Sequence, residues 1–287
     1  MYDELNKEKS AIETKMIFGF IIIGISFILF IPLGASGGSG AIFILFISFI
    51  GGGIIVGINS KKIKQISNNF KKVYVAAELK KIFPDSSYFY DQGFSETEVT
   101  NSGLLHHQDR YKSEDLITGS HEGVNFRCCD VKQEDVRSNG KSTTVVTVFQ
   151  GRFYEFDFPK EFKANLLLLQ PYNFRPFSGL TRVKMESVKF NSELKVYAKD
   201  EHEAFFILTP QFMEQLLMLD SKYNNKISFS LQNKKLYIAL DSRKDYFDIK
   251  PFRTVDSSII SEYREELNDI KEFIKVLQLD LTLFKNN

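Results

Sequence analysis

The chain has 287 residues, a net charge of +1 and 43% hydrophobic residues, with 28 Phe, 12 Tyr and no Trp. That apolar mass is ample for a core, and two cysteines exclude a disulfide scaffold. Charge is unevenly placed: residues 1–15 carry −1, residues 61–72 carry +5 and residues 73–287 carry −3. A mildly acidic soluble part excludes nucleic acid as a ligand, because phosphate contacts need a basic face.

No charged residue stands between Lys15 and Lys61, a run of 45 positions interrupted by Ala35-Ser36-Gly37-Gly38-Ser39-Gly40. Segments 16–34 and 41–58 each approach the roughly 20 residues that a helix needs to cross a ~30 Å hydrocarbon core. The sequence therefore predicts a two-helix transmembrane hairpin in residues 1–60. A cleaved signal peptide would have a basic start, a shorter apolar run and no second span. Here three Lys face four acids before Met16. Lys7, Lys9 and Lys15 on one flank and Lys61, Lys62, Lys64, Lys71 and Lys72 on the other place both flanks, both termini and the soluble part in the cytoplasm. The spans contain no ionisable group, so they read as an anchor and not as a transport path. The spacing of Gly53 and Gly57 permits close helix packing. Packing against the first span is the simpler reading, and a homodimer face is the alternative.

Residues 61–84 read as a basic juxtamembrane stalk helix that Pro84 ends. Its five lysines are expected to contact anionic lipid headgroups at the bilayer. Ile63, Ile66, Phe70, Val73 and Ala77 form its apolar stripe. Residues 85–287 read as a cytosolic domain, either one large domain or two lobes at 85–170 and 181–287. Ser95 with Glu98 forms a capping box ahead of a short helix reaching Ser102, with Gly103 after it. Residues 115–158 are strand country. Val124, Phe126 and Cys128 alternate, Ser138-Asn139-Gly140 is a turn, and Gly151 marks a bulge. Leu166–Leu169, Arg182–Met185 and Leu194–Ala198 are shorter strands. Thr209-Pro210 starts a helix that carries Phe212, Leu216 and Leu219 on one face. KISFSL and KLYIAL flank Gln232-Asn233-Lys234 as a hairpin. A long helix over 255–279 carries Ile259, Tyr263, Leu267, Ile270, Ile274 and Leu277. Helices and strands do not alternate regularly, so the fold class is α+β with antiparallel sheet.

In order and spacing, GFSETEVTNSGLL, YKSEDLITGSHEGVNF, TVFQGRFYEFDFPKEF, VYAKDEHEAFFILTPQFMEQLLML and KISFSLQNKKLYIAL resemble a bacterial membrane family known as domain-of-unknown-function family 3137. The resemblance spans about residues 70–280. It implies a membrane-anchored cytosolic domain without an established activity, so no catalytic or binding residue is carried over. His106-His107 and Cys128-Cys129 are not part of that family's pattern.

Catalytic motifs are absent. No phosphate-binding loop, nucleophile elbow or His-Glu-x-x-His is present. Cys128 and Cys129 lie in a strand pattern, where inert buried thiols are the common case. His106, His107, Asp109, His121 and Cys129 match no zinc spacing. No catalytic residue, metal or cofactor is assigned. The alternating segment Phe153–Phe158 is core, with a peptide or lipid groove as the rival reading. These features point to a membrane-anchored interaction or scaffold module with an unknown protein partner. The alternative is a membrane-surface enzyme with a non-standard site.

Overall fold

A computed structural model describes residues 2–35, 39–158, 166–172 and 179–279. The chain forms two compact units, Met1–Val75 with Phe247–Glu262, and Ala76–Tyr246 with Tyr263–Asn287. The boundary falls inside the expected stalk, after Val75.

In the first unit, α1 (Tyr2–Ala35) and α2 (Ser39–Phe70) form the hairpin and outrun the apolar spans at their polar ends. Most of the Ser36–Gly40 turn lies outside the described residues. Both helices are long and apolar enough to cross a membrane by length and composition. Their backbones meet at Gly19 and Gly52. A Cβ on Gly19 would lie 3.0 Å from the Gly52 carbonyl oxygen, and one on Gly52 would lie 2.9 Å from that of Gly19. Gly53 and Gly57 face open space, with nothing within 4 Å of a Cβ. The close pair of this hairpin is therefore Gly19 with Gly52. Successive residues of one helix turn about 100° apart, so Gly53 cannot share the face of Gly52.

After Phe70 comes a π-helical turn, Lys71–Val75, and then α3 (Ala76–Ile82). The wide turn shifts the apolar stripe. Ile63, Ile66 and Phe70 are buried, but the next buried apolar positions are Val75, Leu79 and Phe83, while Val73 is exposed. A 3.6-residue period picks Val73 and Ala77, and the five-residue step from Phe70 to Val75 is the π turn.

The second unit holds a nine-stranded sheet among the described residues. Its strands are β1 (Ser87–Phe89), β2 (Arg110–His121), β3 (Val124–Ser138), β4 (Thr143–Asp157), β5 (Leu166–Leu169), β6 (Thr181–Val183), β7 (Lys195–Ala198), β8 (Ile227–Gln232) and β9 (Lys235–Leu240). The order is β1-β2-β3-β4-β9-β8-β5-β7-β6, and each pairing is antiparallel. The fold is α+β, as the irregular alternation of elements predicts. Tight turns set the register. Asn233 and Lys234 have φ of 50° and 58°, as a two-residue hairpin turn of matching twist needs. Glu122 and Gly123 repeat this geometry between β2 and β3.

Ser95 caps α4 (Glu96–Asn101) through both halves of a capping box, and Gly103 follows with φ of 77°. Thr209 caps α7 (Pro210–Lys222), which buries Met213, Leu216 and Leu219. Two short helices escape the sequence reading, α5 (Val188–Glu193) capped by Ser187 and α6 (Glu201–Ile207) capped by Asp200. With only six and seven residues they show too little periodicity to detect.

The long helix α8 (Ser257–Val276) begins in the first unit and continues in the second. Its six stripe residues are all buried. One face of the sheet takes α8, where Phe273 meets Tyr154 and Phe156 with ring centroids 5.0 and 6.1 Å apart. On the opposite face Phe153 meets Phe94 edge-on at 5.3 Å, in a cluster with Val99, Leu104 and Cys129. Phe153, Tyr154, Phe156 and Phe158 are therefore buried as core, with side chains on both faces of the strand. Gly151 pairs regularly with Val131. Its missing Cβ makes room for the Leu240 carbonyl oxygen, which would lie 2.0 Å from one. The bulge sits upstream, where Gln133 pairs with Phe149 and Glu134 with Thr147, leaving Val148 as the extra residue.

Candidate functional site

The strongest concentration of buried polar groups lies in the sheet unit. Asp130 of β3 and Arg152 of β4 are cross-strand partners, so their side chains leave the same face. They form a buried ion pair at 2.8 Å. The Tyr246 N–H donates to the second Asp130 oxygen at 3.0 Å, and the Arg152 guanidinium lies 5.0 Å from the Tyr246 ring centroid. Arg152 also approaches the Cys128 sulfur at 3.5 Å.

Asp115 joins through an irregularity of β2. Pairing with β3 slips between Glu114 and Ile117, and Asp115 takes a left-handed φ of 63°. The Tyr88 hydroxyl donates to its carboxylate. Glu266 of α8 lies near enough for the charges of Arg152 and Asp130 to act on it. Burial pushes its carboxyl up to about 8, and its Oε2 is buried without a hydrogen-bond partner. Burial also raises the Asp130 carboxyl, with the Arg152 charge pulling the other way.

Carboxylate oxygens of Asp115, Asp130 and Asp245 lie within 4.8 Å of one another, so this group could hold a cation. Arg152 already supplies positive charge at Asp130. The arrangement acts chemically as a buried ion-pair network joining β2, β3, β4 and the segment at Tyr246. It offers no activated nucleophile. Burial pushes the Cys128 thiol up to about 11 and raises Cys129 further, so both stay protonated near neutrality. Both are free and buried.

The histidines do not converge. His106 is half-buried with its pKa lowered by burial, and its carbonyl accepts from Gln133 at 2.9 Å. His107 is exposed, 2.6 Å from Glu96. His121 packs edge-on against Phe83. Asp109 accepts the Val136 N–H at 2.7 Å. Among the described residues these side chains and Cys129 form no common ligand group.

The five stalk lysines separate. Lys61, Lys62 and Lys72 are exposed. Lys64 lies 2.6 Å from Asp248, and Lys71, with no exposed side-chain surface, pairs with the same carboxylate. Burial alone would raise Asp248, but the charges of Lys71 and Lys64 outweigh it and bring it to about 2. Lys71 is thus turned inward and neutralised, with no surface to offer a headgroup. The network around Arg152 was missed by motif reading. Its signal is an arginine at an inward position of an otherwise aromatic strand, in step with Tyr154 and Phe156.

Residues 147–279 match the family described as protein of unknown function (DUF3137). The chain therefore carries a domain of that family over these residues. No curated protein matches. One solved structure that is similar is the crystal structure of the mycobacterial trehalose monomycolate transport factor A, TtfA. The identity is 9%, the TM-score 0.39, and the match covers 71% of this chain and 94% of that one. A likeness of that size carries no argument about function.

Proposed function

We propose that this chain, with its DUF3137 domain at residues 147–279, is a membrane-anchored protein whose α+β unit serves as a binding or scaffold module at the cytoplasmic face. The observation that carries the anchoring is the surface of the hairpin. Phe18 is 61% exposed, Phe27 68%, Ile28 69%, Phe43 65% and Ile44 65%. So large a continuous apolar surface needs a cover, and lipid is the cover that fits two spans free of charge. A core helix of a soluble protein would be mostly buried, whereas the apolar windows of these two helices are 17% and 11% buried.

Cytoplasmic sidedness follows from the basic flanks and the neutral turn. Lys61, Lys62 and Lys72 are exposed, and attraction to anionic headgroups is worth about 1 kcal/mol per basic residue near the surface. A non-catalytic role is supported by the sheet unit, where two of the converging acids are engaged, Asp130 with Arg152 and the Tyr246 N–H and Asp115 with Tyr88. The enzyme reading has one observation in its favour, the approach of Asp115, Asp130 and Asp245.

Thiol labelling in intact cells tests the topology. Cys128 and Cys129 are buried, so single introduced cysteines report cleanly. Gly40→Cys, where a Cβ meets nothing within 4 Å, should react with an impermeant external reagent. Gln65→Cys, at an exposed position, should react only after the cells are permeabilised. The reverse pattern would overturn the cytoplasmic assignment, and equal labelling before permeabilisation would overturn the span.

A further inference from the structure

Residues 248–255 belong to neither helix nor strand, yet they are closely held. Ser67 accepts the Ile249 N–H at 3.0 Å, Glu13 accepts that of Phe252 at 2.6 Å, and Asn6 accepts that of Val255 at 2.8 Å. Asn6 also donates to the Val255 carbonyl at 2.7 Å, and Lys9 to that of Arg253 at 2.9 Å. Lys64 and Lys71 fix Asp248 by charge. These side chains form two matching sets. Asn6, Lys9 and Glu13 on α1, and Lys64 and Ser67 on α2 with Lys71 at the start of the π turn that continues it, each follow an i, i+3, i+7 spacing. Each set is one helical face at the polar end of its helix.

The segment leads directly into α8. Asp256 caps that helix by accepting the Ser258 N–H at 2.8 Å, and Arg253 pairs with Glu262 at 2.5 Å. Phe252 sits at φ 59° with its ring exposed, a conformation that relaxes unless its N–H is held.

We propose that residues 248–255 are a strap, closed only while the polar ends of α1 and α2 stand side by side. The hairpin then decides whether the start of α8 is held or released. The physical reason is cooperative. Ordering a residue opposes folding by about as much as one hydrogen bond contributes, so the bonds from a single helix do not hold the segment. The two sets together do. A change in the spacing of the helices, from lipid or from a partner in the membrane, opens the strap as one event.

Hydrogen exchange on the full chain in detergent, read at single amides, tests this. In Asn6→Ala, the Ile249 amide, which is bonded to α2, should exchange at least about tenfold faster, as expected when one shared closure loses both bonds that Asn6 makes to Val255. In Ser67→Ala, the Val255 amide, which is bonded to α1, should respond alike. Thr14→Ala removes an exposed bond within α1 and should leave both amides unchanged. Glu13→Ala read at Ile249 replaces the Ser67 variant if exchange in β8 shows the sheet disturbed. If each substitution speeds only the amide that it touches, the contacts are independent and the strap is overturned.

Discussion

Glu266 shows how a single position couples the core to pH. Burial raises its carboxyl to about 8, against about 4.3 for an ordinary glutamate. The folded state therefore holds a proton that the unfolded chain releases. The stability linked to that proton is complete below the ordinary pKa and is lost as pH rises through about 8. Denaturant midpoints should fall between pH 6 and pH 9 in the wild type. Glu266→Gln should flatten that fall, since its amide keeps the shape and never ionises. Parallel curves for the two proteins would place the alkaline sensitivity elsewhere. Arg152 works by a different mechanism. Arg152→Ala leaves Asp130 in the core without its ionic partner and should lower stability by about 3–5 kcal/mol, measured by urea unfolding.

Among elements, α8 is the one that its own sequence specifies best. Its stripe from Ile259 to Leu277 is buried throughout, while Asn268 on the outer side is exposed. Leu267→Glu should prevent cooperative folding, because it drives an unpaired charge into a fully buried site. Asn268→Glu should change stability by no more than about 0.5 kcal/mol. Thermal melting of the two variants separates these outcomes. The hairpin allows a comparable contrast. Gly52→Val should force the helices apart, since the Gly19 carbonyl lies 2.9 Å from where its Cβ must go, whereas Gly53→Val should be accepted. Loss of helicity on heating in detergent should begin at lower temperature for the first variant alone.

For the molecule as a whole, the position of the unit boundary matters for any attempt to isolate the sheet domain. Leu79 and Phe83 are buried, Phe83 packs on Phe126 at 5.0 Å, and Glu78 pairs with Arg264 at 3.1 Å. All of these residues lie in the sheet unit. A chain starting at Ala76 should therefore be more stable than one starting at Asp85. Two large apolar side chains contribute about 1.5–3 kcal/mol each when buried. Equal denaturant midpoints for the two would mean that α3 is dispensable. Both shortened chains lack Asn6, Lys9, Glu13, Lys64, Ser67 and Lys71, so trypsin should cut them readily after Arg253.

The sequence by itself determined the features that depend on neighbours in the chain. Uncharged runs marked the two apolar helices, capping residues marked α4 and α7, and period-two and period-3.6 patterns marked β3, β4 and α8. These signals are local because caps, turns and amphipathic faces are set by a few consecutive residues. Tertiary structure alone decided which glycines touch, where the π turn shifts the stalk stripe, and that Lys71 turns inward to Asp248. It also decided that Asp115 swings beside Asp130 at an irregularity of β2, and that residues 248–255 are held by side chains some 180 to 250 positions earlier in the chain. Such contacts depend on strand register and helix rotation. A slip of one residue in a strand, or of 100° around a helix, exchanges the buried face for the exposed one. No local pattern records which of those alternatives the packed chain adopts.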